Sequence, residues 1–178
     1  MPQSNLEMTL LSADAAGALL ADLADLLHAC VQGGASVSFV LPYAPEDAQA
    51  FWRAKVLPAV AEGTLALWVA RQDGRVAGSV QLDCDTPPNQ PHRAEVRKLL
   101  VHPDFRRRGI ARALLREAEA LAVRRGRSLI TLDTRTGDSA EPLYASMGYR
   151  TVGVIPGFSR DPRDAGRLDG TTIMYKQL

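Results

Sequence analysis

Val96–Arg125, VRKLLVHPDFRRRGIARALLREAEALAVRR, is the stretch whose reading decides the fold. Its first six residues, Val96 to Val101, form a short apolar run with β-branched ends and predict a buried strand. Pro103 and Asp104 then impose a turn, because proline fixes φ and aspartate bonds to nearby backbone. After Arg106-Arg107-Arg108-Gly109, the residues Ile110, Leu114, Ala118 and Leu121, with Leu115 and Ala122 alongside, recur at helical spacing. Arg112, Arg116, Glu117 and Glu119 fall on the opposite face. A strand that enters a helix through a glycine-containing turn makes an anion site. The first N–H groups of a helix have no partner inside it, and the macrodipole adds partial positive charge there. The arginines beside that turn favour a polyanionic ligand.

Working outward, Ser128–Thr134 (SLITLDT) predicts a second strand after the helix, so the centre of the chain is one strand–helix–strand crossover. Upstream, Thr64–Arg71 and Arg75–Cys84 are rich in Val, Leu and Trp, and Gln72-Asp73-Gly74 joins them as a hairpin. Asp85–Pro91 is a proline-rich loop, and Arg93–Val101 is the whole extent of the strand before the phosphate turn. Met8–Leu11 is a strand candidate, and Ser12 is an N-cap for one helix from about Ala13 to Val31, ended by Gly33-Gly34. Ala35–Tyr43 is apolar but limited by Pro42 and Pro45, and a second helix runs from about Pro45 to Ala61. Ser139–Ala145 predicts a short helix stopped by Gly148, Tyr149–Ile155 a strand, Gly157–Gly170 a polar loop and Thr171–Lys176 a last strand. No repeat or low-complexity linker divides the chain. The expected fold is α/β or α+β: a single mixed sheet, largely antiparallel, with a central parallel crossover and helices on both faces.

The chain's 178 residues suit one domain, and 46% hydrophobic content supports a proper core. A net charge of +1 argues against a dedicated nucleic-acid binder, although about half of the Lys and Arg lie between Arg93 and Arg127. Cys30 and Cys84 form neither a disulfide framework nor a metal knuckle, and His28, His92 and His102 show no ligand spacing, so no metal is expected. MPQSNLEMTLL lacks the features of a secretory leader, and the first apolar helix carries Asp14, Asp22 and Asp25, against a membrane span. A cytoplasmic location is the expectation.

Arg106-Arg107-Arg108-Gly109-Ile110-Ala111 resembles the Q/R-x-x-G-x-G/A phosphate loop of GNAT-type N-acetyltransferases. The preceding LLVHPDF, the following ARALLREAEALA, the LDT that ends the next strand and the later LYASMGY also resemble that family. GGASVSF, AEVRKLLV and PGFSRDP…GRL are closer still to its tabtoxin-resistance acetyltransferases. The six-residue loop alone is weak, but the ordered set from Gly33 onward is specific. The resemblance implies one N-acetyltransferase domain over residues 1–178, with acetyl-CoA as cofactor. It places the pyrophosphate on the loop of Arg106, Arg107, Arg108, Gly109, Ile110 and Ala111. It also lays the pantetheine arm along the backbone of Leu99, Leu100 and Val101. The implied acceptor is a small-molecule amine, in the subfamily an amino-acid-like toxin or antimetabolite, and acetyl transfer would be direct, within a ternary complex.

Acetyl transfer to an amine needs a base to take the ammonium proton, donors for developing oxyanion charge and an acid for the leaving thiolate. By resemblance, Tyr144 is the thiol-facing acid. Glu95, in the strand before the loop, and Asp133, at the C-terminal end of the next, are the base candidates, because parallel strand ends open onto the ligand cleft. The structural alternatives are that Tyr144 only packs on the sheet, that Glu95 pairs with Arg93 or Arg97, and that Asp133 caps a turn. His102 reads as a loop residue, Trp52 and Trp68 as core, and Arg160, Asp161, Arg163 and Asp164 as a solvated charged run. A non-catalytic acyl-CoA sensor is an alternative on the same fold. A DNA-binding module using RRRGIARALLREA as a recognition helix is a weaker one, since no helix precedes it at the required spacing. Sheet edges leave a homodimer open.

Overall fold

The computed structural model describes residues 5–178; Met1–Ser4, the start of the stretch read above for a leader, lie outside the described residues. A seven-stranded sheet in the order β1-β2-β3-β4-β5-β7-β6 carries the chain. The strands are β1 (Leu6–Leu10), β2 (Leu65–Gln72), β3 (Arg75–Asp83), β4 (Arg93–Val101), β5 (Leu129–Arg135), β6 (Arg150–Arg160) and β7 (Leu168–Gln177). All neighbours are antiparallel except β4 and β5, which are the two ends of the central crossover. The mixed α/β sheet expected from the sequence is the sheet observed.

Alternation along the strands sorts the side chains into two apolar layers. Ala94, Val96, Ile130 and Leu132 face the layer that takes in α5 (Ile110–Arg124), where Ile110, Leu114, Leu115, Ala118, Leu121 and Ala122 are buried. Gly78 on β3 lets that helix lie close, since a Cβ there would sit 2.6 Å from the Leu100 carbonyl and 3.2 Å from Ile110 and Leu114. The apolar face of RRRGIARALLREA is therefore spent on the sheet. The opposite layer takes Leu67, Val69 and Leu100 against Leu23, Leu26, Leu27, Val31 and Trp52.

That second layer holds α1 (Ala13–Ala18), α2 (Leu20–Gln32), α3 (Pro45–Phe51) and α4 (Leu57–Ala61). Ser12 caps α1 as expected, its hydroxyl accepting from Ala15 N at 3.2 Å. The single helix expected from Ala13 is broken at Leu19, whose ψ of 12° leaves the helical range. Between α3 and α4, Trp52–Val56 widens into a π-helical turn ahead of Pro58. Proline brings no N–H to the ladder and crowds the carbonyl four residues before it, so the bonds slip outward there. Ala35–Tyr43 crosses as an irregular segment and joins no sheet. The loop expected over Gly157–Gly170 is shorter than that: β6 continues to Arg160 and β7 begins at Leu168, with register shifts between Thr151 and Gly153 and between Ile155 and Ser159.

Candidate active site

The site begins where β4 and β5 separate. Their parallel pairing covers Arg93↔Leu129, Ala94↔Ile130 and Glu95↔Thr131, and then stops. Beyond it β4 stays on β3 up to Val101↔Gly78, while β5 stays on β7 up to Arg135↔Thr171. The two strands thus form a fork, and the inner edge of β4 from Val96 to Leu100 pairs with no strand among the described residues. A cleft of about 830 Å³ fills this fork and extends to both faces of the sheet.

At one end, His102 Nδ1 accepts from Asp104 N at 3.2 Å and so opens the 3₁₀ turn Pro103–Phe105. His102 is therefore a turn-former, as its position suggested. Arg107 follows with φ +64° and Gly109 with φ +79°, and Gly109 is the N-cap of α5 with no side chain bonding back onto the helix. The left-handed cap favours glycine, and an uncapped helix start leaves its N–H groups to a ligand. No atom lies within 4 Å of where a Gly109 Cβ would be, so this side of the loop is open. Arg106, Arg107, Gly109, Ile110, Ala111 and Arg112 line the cleft. Arg108 does not; it donates to the Asp104 carbonyl at 2.9 Å and covers the Phe105 ring at 5.2 Å. Leu99, Leu100 and Val101 line the cleft as well, but the Val101 carbonyl already accepts from Cys30 Sγ (3.5 Å) and Arg106 Nε (3.4 Å). Leu100 is paired with Ser79 on β3, so Leu99, which has no partner in that register, is the free part of that backbone.

Tyr144 comes from α6 (Ala140–Ser146) and belongs to the α5-side layer, 6% exposed, with its ring 5.6 Å from that of Tyr149. Tyr144 nonetheless lines the cleft. Burial, reinforced by the negative charge of Asp133 and Asp138, pushes its phenol well above the ordinary tyrosine range, so the O–H is retained. Glu95 and Asp133 face the other layer. They alternate with Ala94, Val96 and Leu132, and Glu95 stands opposite Thr131, two residues before Asp133. Glu95 is 4.0 Å from Arg93 and 3.9 Å from Arg97, so both expected ion pairs exist, though loosely. Asp133 caps no turn; it accepts from Thr171 Oγ1 at 2.9 Å across β5 and β7. The fork thus brings a protonated phenol from one side and two carboxylates from the other to one cleft.

Three features had little or no sequence signal. Arg112 lines the phosphate end and donates to Ser146 Oγ at 2.8 Å. Arg135 closes the far wall, gathering Asp138 (3.2 Å), Asp161 (3.5 Å) and Asp169 (3.6 Å). The late charged run is accordingly tied down: Asp161 accepts from Arg163 N and Asp164 N, and these bonds hold its carboxyl below the usual range. Lys98 is the third. Its neighbours Glu95-Val96-Arg97-Lys98-Leu99-Leu100 carry two charged and then two apolar residues in succession, which breaks strand alternation and was a readable sign of a bulge.

The cleft thus combines a strand fork, an open helix start, a phenol and two carboxylates. Solved structures agree on the fold: the yncA protein of Salmonella typhimurium, determined with its cofactor acetyl-CoA, superposes with a TM-score of 0.75 over 97% of this chain and 94% of its own, at 19% identity. The family model for the acetyltransferase (GNAT) domain matches residues 63–151, half of the 178-residue chain, and the protein belongs to that family. Human N-acetyltransferase 8 is 40% identical over 88 residues, 48% of this chain and 39% of its own length. Zebrafish N-acetylaspartate synthetase is 35% identical over 101 residues, 53% of this chain and 35% of its own. The chain therefore matches well under half the length of these two relatives. No helix among the described residues is long and apolar enough to cross a membrane.

Proposed function

We propose that this protein transfers an acetyl group from acetyl-CoA to the amine of a small, amino-acid-like molecule. The observation that carries this reading is the fork between β4 and β5, with Tyr144 on one side and Glu95 and Asp133 on the other. The uncapped start of α5 fits a pyrophosphate on the N–H groups of Gly109, Ile110 and Ala111, with Arg106, Arg107 and Arg112 around it. Leu99 offers the unpaired point of the β4 edge on which a pantetheine arm would lie, along Leu100 and Val101. Acetyl-CoA, when bound there, supplies an acyl thioester. Glu95 and Asp133 draw the acceptor's ammonium toward the fork and take its proton, directly or through water, so that the nitrogen lone pair is free to attack. Tyr144 gives its phenolic proton to the departing sulfur. Holding both partners in one cleft supplies much of the remaining acceleration. An amino-acid acceptor accords with the N-acetylaspartate synthetase match, whose name gives an N-acetylated amino acid as product.

The test is to incubate the purified protein with acetyl-CoA and a panel of amino acids, polyamines and antimetabolite amines, and to look by mass spectrometry for an added acetyl group. Acetylation of the small amines supports the reading; acetyl-CoA binding with no acetylated amine on the panel supports the sensor alternative instead.

A further inference from the structure

Lys98 is a half-buried cation of the cleft that neither the phosphate end nor the proton transfers use. β4 carries one residue more than β3 between the pairs Gln81↔Arg97 and Ser79↔Leu100, so Lys98 and Leu99 stand opposite Val80 alone. The extra residue resets the alternation. Val96 and Leu99 both face the α5 layer, and Lys98 is turned to the side of Glu95 and Asp133. Lys98 holds this place with φ +47°. Its Nζ is 2.9 Å from the hydroxyl of Ser38, whose φ is +81°, and lies 5.9 Å and 5.8 Å from the Phe39 and Phe51 ring centroids. Two non-glycine residues in the left-handed region, bonded to each other, are a costly arrangement of the kind found at functional sites.

The other cations on the acceptor side have their charge engaged. Arg97 donates to Asp83 at 2.6 Å, and Arg135 is held by Asp138, Asp161 and Asp169. Lys98 alone of the three has no carboxylate within ion-pair distance among the described residues; a hydroxyl and two aromatic faces hold it. Burial and the Arg97 charge lower its pKa, opposed by Asp133 and Glu95 nearby. A cation removed from water with no counter-ion is unfavourable until an anion meets it. The same wall therefore offers two carboxylates for an ammonium and one free ammonium for an oxyanion, the complement of a zwitterion.

We infer that Lys98 is the specificity residue for the carboxylate of the acceptor, oriented by Ser38 and the Phe39–Phe51 face. This rests on the acetyl-transfer reading above and names its substrate class as amines that carry a carboxylate. Lys98 moves no proton in this scheme; it fixes which end of the acceptor faces the thioester.

The test compares amino acids with their own carboxamides as acceptors, for wild type, Lys98→Met and Lys98→Arg. Wild type is expected to prefer each acid over its amide by about tenfold or more in kcat/KM. Lys98→Met is expected to erase that preference through KM for the acid, and Lys98→Arg to restore part of it. Acetyl-CoA affinity should be unchanged in both variants, which controls for folding. An equal loss on acid and amide, or a wild type indifferent to the carboxylate, overturns the inference while leaving acetyl transfer intact. If no amine is turned over, calorimetric titration of the same acids into wild type and Lys98→Met still decides it: weaker binding in the variant supports the role of Lys98 and removes only the acetyl-transfer reading, and equal or undetectable binding overturns the role of Lys98.

Discussion

The two halves of the cleft are built by different means. The half proposed for the donor is a continuous piece of chain, Leu99 to Arg112, and it presents mostly backbone: a strand edge, a left-handed glycine and an uncapped helix start. The half proposed for the acceptor is assembled from side chains far apart in sequence, among them Ser38, Glu95, Lys98, Asp133 and Phe158. A backbone device needs its residues in order, so a short motif can record it. A side-chain device needs only that the topology converge, so the contributing positions are scattered. Identity of the donor is consequently a local property of this chain, and identity of the acceptor a global one.

Substitutions can break that contrast in graded ways. The largest effect is expected from Glu95→Gln/Asp133→Asn, which removes both proposed proton acceptors. Turnover should fall by about 10³ with little change in acetyl-CoA affinity, read by steady-state kinetics beside calorimetry. A pH–rate profile identical to wild type would remove the carboxylates from the mechanism. Tyr144→Phe should lower kcat by about 10² and leave both KM values close to wild type. The phenol's raised pKa adds a second readout. The protonated form is the active one, so raising the pKa extends activity upward in pH, and wild type should show no falling limb up to about pH 10, where an ordinary tyrosine ionises. A falling limb there that Tyr144→Phe abolishes would contradict the placement of this residue.

Gly109→Ala tests the donor half alone. The added methyl meets no protein atom but forces an L-residue to φ +79° and projects to the side proposed for the pyrophosphate. KM for acetyl-CoA should rise about tenfold, a loss of about 1.4 kcal/mol, with the acceptor KM unmoved. The smallest effect on activity is expected from Arg135→Met, which releases Asp138 and Asp169 from their shared cation. Stability should fall by about 2 kcal/mol, partial exposure of the pair tempering the cost of a broken buried bridge. Thermal unfolding measures it; an unchanged midpoint would mean that the β6–β7 connection is held without this cluster.

The same contrast explains what was legible in the chain. The β2–β3 hairpin, β4, the turn, α5, β5 and the glycine stop after α6 all follow from neighbouring residues, and the structure returns them within a residue or two. Leu19 breaks a helix that the leucine spacing alone would have run through, and Pro58 forces its π turn from inside an otherwise helical pattern. The long β6 and β7 were hidden because Pro156, Gly157 and Gly170 read as loop, whereas pairing with a neighbour strand carries the extended backbone across them. The insertion of β7 between β5 and β6 is a non-local event with no local sign. In the cleft, Glu95, Asp133 and Tyr144 were legible as candidates through their places relative to the phosphate turn, but the Arg135 cluster depends on residues meeting from two strands and two loops.

Initial rates of thiol release from acetyl-CoA, with the purified protein and both substrates varied, test the central claim most directly. Release that requires the amine, saturates in both substrates and gives intersecting reciprocal plots is the predicted result, as direct transfer within one fork demands. Parallel plots, or thiol release indifferent to every amine, would contradict it.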